Sequence, residues 1–441
     1  MALGGGTWLF QNKILPGSYV NFTSLARASA SVSDRGYAAA PFTLSWGPEN
    51  EIFAVTSGEF QKNSKAIFGY AYDHPRMLAL REIFLHATTV YCYRLGSGAS
   101  KASNSYAEAR YPGVRGNDLS TVIVANVDHA DLWDVSTWLD GICVDTQTVA
   151  GAAALTDNDW VRFKSTATLA ATAGTALTGG TDAASITGDS HQAFLDKAEP
   201  YAFNILCCPS AESTIVRLYA AYTERMRDEV GAKFQLVAWQ PSTVDYEGVI
   251  GIWNEATHPT IPDVDQQALV YWVAGAQAGC AVNKSLTNTR YDGELIIDTG
   301  DTQVELEAAL RAGKFMFHNN NGATCVLEDI NTLLTLSDTK GEVFQSNQTI
   351  RVCDQIANDV AVLFNTRYVG NVPNDASGRA SLWGDVVKLI SELEKIRAIE
   401  GFDENVVTCV PGDRKKAVLL TIDGLNIVNA MAQLYMQVVV A

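Results

Sequence analysis

Charged residues are few in this chain. Asp, Glu, Lys and Arg make up 18% of its 441 residues, against 47% hydrophobic ones, fewer charges than a soluble surface usually carries. A large contact surface would account for the deficit, and so would secretion. Basic residues are scarcer than acidic ones: 32 against 49 leave a formal charge of −17. That balance excludes phosphate-backbone tracking as a main role, so no nucleic-acid partner is expected. No apolar run approaches the roughly eighteen residues of a membrane span, so no membrane insertion is expected. Met1–Gly6 lacks the basic stretch and apolar core of a secretory signal. Cysteine pairs are missing too. Cys92, Cys143, Cys207, Cys208, Cys280, Cys325, Cys353 and Cys409 form no CxxC and read as reduced core thiols made in a cytosol. Adjacent Cys207 and Cys208 read as two buried thiols at a strand end rather than a strained disulfide.

Catalytic signatures are equally sparse. The chain has no GxxxxGK[ST] loop, no HExxH and no GxSxG. Gly96-Ser97-Gly98 is half a glycine fingerprint without its third glycine. The six histidines (His74, His86, His129, His191, His258 and His318) never form a tight pair. Asp128-His129-Ala130-Asp131 with Asp134 offers cation ligands but lacks the glycine and glutamate of a calcium loop. It reads as a solvated acidic turn. The sequons at Asn21, Asn283 and Asn347 carry no weight without a secretion signal. A triad built from residues distant in sequence stays open. No cofactor and no metal are expected.

What the chain does have is an apolar ending. Leu434, Met436, Val438 and Val440 alternate with Tyr435, Gln437 and Val439, the period of a strand whose two faces are both mostly apolar. Such a strand docks in its own domain or pairs with a neighbouring chain. Upstream, residues 1–30 read as an arm: Gly4-Gly5-Gly6 is flexible, Pro16-Gly17 turns, and Ser18–Phe22 alternates as a short strand. Met77, Leu80, Ile83 and Phe84 predict a helix over Arg76–Ala87, followed by a strand at Val90–Tyr93. Beyond Gly98 come short alternating segments at Thr121–Val127, Asp134–Leu139, Ile142–Val149 and Trp160–Phe163, the pattern of a small β-sandwich or barrel. The Thr/Ala/Gly-rich stretch 167–187 ends this module, with Leu177–Asp182 as its closing loop.

From about residue 190 strands alternate with helices: strands at Ala202–Leu206, Phe234–Trp239 and Thr324–Leu327, helices at Ser213–Val230, Gln266–Gln277 and Gln303–Ala312. This is an α/β pattern around a central sheet. Two helices follow, one marked by Ile350, Cys353, Ile356, Ala357, Val360 and Phe364, the other by Leu382, Val386, Leu389, Leu393 and Ile396. A hairpin of Asn405–Val410 and Ala417–Ile422 flanks Pro411-Gly412-Asp413-Arg414-Lys415-Lys416, and a short helix near Asn426–Ala432 precedes the terminal strand. The basic triplet Arg414-Lys415-Lys416 is either a solvated tip or a contact to an acidic surface. The expected architecture is mixed α/β and β, in five parts: an arm (1–30), a discontinuous α/β core (31–97 with 190–335), an inserted β module (98–189), a C-terminal α+β domain (336–431) and a terminal strand arm (432–441).

Certain local sequences stand out, and their order and number carry more weight than any one of them. They are Pro16–Phe22, Asp34-Arg35-Gly36-Tyr37-Ala38-Ala39, Trp46-Gly47-Pro48, Tyr111-Pro112-Gly113-Val114-Arg115-Gly116-Asn117-Asp118 and Leu177–Asp182. Val326-Leu327-Glu328-Asp329-Ile330-Asn331-Thr332-Leu333 is the most specific, followed by Ile350-Arg351-Val352-Cys353-Asp354 and Tyr368-Val369-Gly370. Through these residues, over nearly its whole length, the chain resembles contractile-tail sheath proteins of bacteriophages and phage-tail-like particles, of the Gram-positive type.

The resemblance implies a structural subunit, not an enzyme, with a subtilisin-like but non-catalytic core. Its partners would be further copies of itself in stacked rings, a tail tube protein, and baseplate and tail terminator proteins. It would be assembled in the bacterial host cytoplasm and reside in the virion tail or tail-like particle. Donated strands would come from Tyr19, Val20, Asn21 and Phe22 and from Tyr435, Met436, Val438, Val439 and Val440. The receiving hairpin would be built by Val406, Val407, Val410, Val418, Leu420 and Ile422, and Arg414, Lys415 and Lys416 would be the candidate tube contact. The alternative is a hydrolase with an α/β core and a carbohydrate-binding β insert, which a reactive nucleophile in a soluble monomer would favour. A tube or baseplate component fits the polymer logic but not the length or the 326–333 region.

Overall fold

The computed structural model describes residues 32–440 apart from Asp263 and Asp265. The arm strand expected at Tyr19–Phe22 lies outside the described residues. The remainder gathers into two compact units: Asp34–Gln355 with the residues from Ile427 onward, and Ile356–Asn426 with those before Asp34.

The larger unit opens with β1 (Tyr37–Phe42), β2 (Ile52–Thr56), α1 (Ser57–Phe68), α2 (Leu78–Phe84) and β3 (Thr89–Arg94). Then come the short β4 (Ala107–Ala109), β5 (Leu119–Ala125), β6 (Trp133–Leu139), β7 (Ile142–Val149), β8 (Val161–Phe163) and β9 (Thr172–Ala176). The chain continues through α3 (Gly188–Ala198), β10 (Ile205–Cys208), α4 (Ser213–Arg225), β11 (Gln235–Trp239) and β12 (Val249–Ile252). After β13 (Ala256–Thr257), α5 (Leu269–Gly279), β14 (Ile296–Ile297), α6 (Gln303–Arg311), β15 (Phe317–Asn320) and β16 (Ala323–Val326) it enters α7 (Asn347–Leu363).

Six strands form one sheet in the order β12-β11-β10-β1-β3-β2, parallel throughout except for β2, which runs antiparallel to β3. Alternation along each strand divides its side chains between two cores. Ala38, Ala40, Cys207 and Val237 meet α2 and α5 on one side, while Ala39, Cys208, Leu236 and Ala238 meet α3 and α4 on the other. With both faces covered the strands read as continuous apolar runs. Cys207 and Cys208 point to opposite cores as free thiols. Helices α2 and α5 touch backbone to backbone: a Cβ added at Gly275 would lie 2.2 Å from the Ile83 carbonyl oxygen, and one at Gly279 2.3 Å from that of His86. Only glycine permits that approach.

Some expected elements are displaced, each for a local reason. Strand β10 begins at Ile205 because the Asn204 side chain accepts from the Gly36 and Tyr37 amides, both at 3.1 Å. Helix α4 ends at Arg225 and widens into a π-type turn, Met226–Val230, closed by Gly231 at φ 92°. That wider turn rotates Val230 off the buried stripe and leaves it exposed. Cys143, expected in the core, is exposed on β7.

The β module carries a four-stranded antiparallel sheet, β7-β6-β5-β9, and the pair β4-β8. Trp46, Trp160, Leu119, Leu139 and Leu177 share its core. Strand β9 lies in the Thr/Ala/Gly-rich stretch, ahead of the closing loop, where no strand was expected. Leu177–Asp182 does close the module: Ser100 pairs with Thr181 and Ser103 with Thr178. Strand β5 stops at Ala125 because the Asn126 side chain accepts from the Asp128 and His129 amides and turns the chain. Asp134 meanwhile accepts from Asn126 and from Thr148, at 2.6 Å from the latter.

One buried carboxyl makes stability depend on pH. Glu82 is fully buried, accepting from Tyr291 Oη and the Glu294 amide at 2.7 Å each. Burial pushes its pKa up to about 7, against these two bonds that favour the anion. From the ordinary carboxylate range up to about 7, the folded chain therefore holds a proton that the unfolded chain has released. Stability falls as pH rises through that window, by about 3 kcal/mol in all. Urea unfolding between pH 5 and 8 should register this slope, and Glu82→Gln, neutral throughout, should flatten it.

The smaller unit holds the end of α7, then α8 (Ala376–Lys395) and a hairpin of β17 (Val407–Pro411) with β18 (Val418–Ile422). Leu382, Val386, Leu389 and Leu393 are buried along α8 as its periodicity requires. The short helix expected near Asn426–Ala432 does not form. The Val428 carbonyl and the Ala430 amide, which an intrahelical ladder would need, bond instead to the Gln348 side chain, each at 3.0 Å.

Candidate strand-pairing interface

The hairpin is in register from Val407–Ile422 to Pro411–Val418. Gly412 N donates to the Ala417 carbonyl at 2.9 Å and Asp423 N to the Val406 carbonyl at 3.0 Å. Pairs with mutual bonds alternate with pairs without them in an antiparallel ladder. Thr408–Thr421 and Val410–Leu419 are therefore bonded pairs. The backbone groups of Val407 and Cys409 on one edge, and of Val418, Leu420 and Ile422 on the other, point outward.

The two edges differ. On β17 the Val407 carbonyl accepts from Trp383 Nε1 at 2.8 Å, and Pro411 has no N–H to offer. On the outer edge of β18, facing away from β17, no further described strand pairs with Val418, Leu420 or Ile422. Of the six residues expected to receive a strand, these three present the open edge. Val406 is the last residue of the single turn Glu404–Val406, outside the strand, and its carbonyl is taken by Asp423. Val410 turns its backbone inward to Leu419, while its side chain is exposed.

Arg414, Lys415 and Lys416 occupy the connecting loop, all exposed. No ion pair holds them among the described residues. The loop is braced from beneath by Asn374, which donates to the carbonyls of Lys415 (3.2 Å) and Ala417 (2.8 Å) while accepting from Arg379 at 2.9 Å. The Val372-Pro373-Asn374 turn thus holds three cations in one place.

At the end of the chain the expected strand does not form within the single subunit. Leu434, Tyr435, Met436, Val438, Val439 and Val440 are 70–88% exposed, and no strand includes them. An apolar β segment needs a ladder partner, and none of this chain's described strands pairs with it.

The marker residues meet one another in the core of the larger unit. Asp329 accepts from Gln277 at 2.6 Å, Asn347 at 2.9 Å, the Leu286 amide at 3.0 Å and Arg351 at 3.2 Å. Arg351 donates further to the Lys284 carbonyl and to Gln277 Oε1, both at 2.6 Å. Asp354 takes both guanidinium nitrogens of Arg227, at 2.6 and 2.8 Å. All four charged side chains are at least nine-tenths buried. The 326–333 and 350–354 markers are therefore a buried polar bolt between a loop and the start of α7.

A cavity of about 680 Å³ opens outside the carboxyl ends of β1, β3 and β10, lined by Phe42, Leu95, His191, Ser210, Glu212 and Tyr271 among others. In open α/β sheets that crevice is where ligands bind. His191 is committed to Tyr219, Nδ1 to Oη 2.8 Å, and burial lowers its pKa to about 4. Ser210 Oγ accepts from the Glu212 amide at 3.1 Å. Among the described residues no side-chain bond joins Ser210 to His191, so the cavity holds a neutral histidine and an unactivated hydroxyl.

Four family models match successive stretches. They describe the tail sheath protein Gp18 domain III N-terminal region (residues 35–95) and the phage tail sheath β-sandwich domain (96–182). The phage tail sheath central domain (184–332) and C-terminal domain (339–441) follow. The chain is 32% identical over 449 residues to the phage-like element PBSX protein XkdK of Bacillus subtilis, covering 93% of this chain and 95% of the relative. The crystal structure of a sheath tail protein from Desulfitobacterium hafniense superposes with a TM-score of 0.77 at 34% identity, covering 89% of this chain and 93% of that one. At 11% identity and a TM-score of 0.56 the same fold recurs in the contracted sheath complex of an extracellular contractile injection system, PVC, covering 96% of this chain and 97% of that one.

Proposed function

This chain belongs to the phage tail sheath family, and on that premise we propose that it polymerises around a tail tube through donated terminal strands and contracts to drive the tube through a cell envelope. One observation carries the reading. The same chain presents an unpaired β18 edge and, ten residues long, an exposed apolar segment that its own fold leaves uncovered. Each alone is a liability; on neighbouring copies they complete one another. Each backbone bond so formed contributes about 1 kcal/mol net, and repetition over many subunits makes a cohesive mesh.

In this reading Tyr435–Val440 of one subunit adds to the Val418–Ile422 edge of another, with Tyr19–Phe22 as the second donated strand. Arg414, Lys415 and Lys416 face the tube, and baseplate and terminator proteins bound the two ends. The particle forms in the host cytoplasm. The five-part division of the chain and the subtilisin-like, non-catalytic fold of the core belong to the same proposal, the latter supported by a mostly parallel sheet with helices on both faces. The hydrolase alternative has the 680 Å³ cavity in its favour, but His191 is bonded to a tyrosine rather than to a nucleophile.

Electron microscopy of the purified chain with its tube protein tests the proposal. Ordered sheaths on tubes are expected, and a chain that stays monomeric in every condition would overturn it. In the same assay, Arg414, Lys415 and Lys416 changed together to Ser should weaken assembly on tubes, most at low salt, where the charges are least screened. Unchanged assembly would return the triplet to a solvated tip.

A further inference from the structure

We propose that the Gln348 side chain is the anchor that sets where the C-terminal segment leaves the body of the subunit. Gln348 is the second residue of α7 and only 2% exposed. Its Nε2 donates to the Val428 carbonyl at 3.0 Å and its Oε1 accepts from the Ala430 amide at 3.0 Å. A carbonyl can only accept and an amide N–H can only donate, so both partners fix the orientation of the side-chain amide. The amide thus holds a donor and an acceptor two residues apart, as a neighbouring strand would. Between them, Asn429 Oδ1 accepts from Ser346 and Thr349, both at 3.3 Å.

The hold ends abruptly. Met431 is fully exposed, and from there to Val440 the described segment has one hydrogen bond, internal to it, from Tyr435 Oη to Gln433. Ten residues therefore leave from a fixed point and span about 33 Å when extended. Upstream of the anchor, Ile427 stands in an isolated β-bridge and Asn426 is held by Glu400 at 2.9 Å. Without Gln348 the free tether lengthens by residues 428–430 and its direction is lost. A longer, unaimed tether lowers the effective concentration at which the strand meets its edge, and the order once supplied by the anchor must be found at assembly.

This inference rests on the strand-donation reading, and its test separates the two. Gln348→Met keeps the length and packing of the side chain and removes both bonds. It should leave the unfolding midpoint unchanged, release the Ala430 amide to rapid hydrogen exchange and raise the critical concentration for assembly about thirtyfold, the worth of two neutral bonds at about 1 kcal/mol each. Asn429→Ala, at an exposed position with no folding risk, should raise it about threefold and serves if the first variant misfolds. A fast-exchanging Ala430 amide in the unaltered chain would overturn the anchor. So would unchanged assembly of both variants in a chain that loses assembly when 432–441 are deleted, and then strand donation would stand. Assembly by the deletion itself would remove the reading on which the anchor rests.

Discussion

Deletion of residues 432–441 should leave a folded chain that no longer forms tubes. The segment contributes nothing to its own subunit: its apolar side chains are 70% exposed or more, and no strand or core cluster includes them. Removing it therefore leaves the unfolding midpoint where it was. What disappears is a run of exposed apolar side chains that no described strand of the chain covers. Size-exclusion chromatography and calorimetry would report a stable monomer, and electron microscopy an absence of sheaths. Long tubes from the truncated chain would refute the role given to this segment, whatever the family to which the chain belongs. The deletion stops short of Val428 and Ala430, so the anchor on α7 is left intact.

Asp329→Ala should be the most damaging single substitution. Asp329 satisfies Arg351, Gln277, Asn347 and the Leu286 amide at once, in surroundings that leave Asp329 and Arg351 side chains only 1–2% exposed. Without the carboxylate, a buried guanidinium loses its counter-charge and three further donors lose an acceptor. Breaking one side of a buried pair costs about 3–5 kcal/mol. Chemical denaturation would register that loss, with soluble yield falling alongside. Changing Arg351→Met in the same chain should recover part of it, because a buried cation left alone is worse than none. Equal stability of the single and double variants would show that the remaining polar partners, not the charge, set the loss.

How much of this was legible in the residues can be traced element by element. Helices α2, α5, α6, α7 and α8 and strands β3, β6, β7 and β11 follow from apolar periodicity, and the structure finds them within a few residues of their expected places. Helix α1 was missed although Thr56 and Glu59 form its capping box, a signal that stands in the sequence as T-x-x-E. Strand β9 was missed because Thr172–Ala176 has almost no apolar alternation; it is held by pairing with β5. The hairpin β17–β18 was readable from two β-rich runs around a Pro-Gly turn. That its β18 edge is the open one was not, since Trp383 covers Val407 from a helix more than twenty residues upstream. The polar bolt was readable only as a list of marker residues, because Asp329 and Arg351 meet through the fold.

The sequence by itself determined the types of the strongly periodic elements, the absence of recognisable catalytic motifs, the acidic character and an apolar ending that asks for a partner, since these follow from composition and from periods of two and 3.6 residues. The tertiary structure decided which backbone edge stays open, which buried charges face one another and where the terminal segment is let go. Those depend on side chains distant in the chain arriving at one place, and no local period records such meetings.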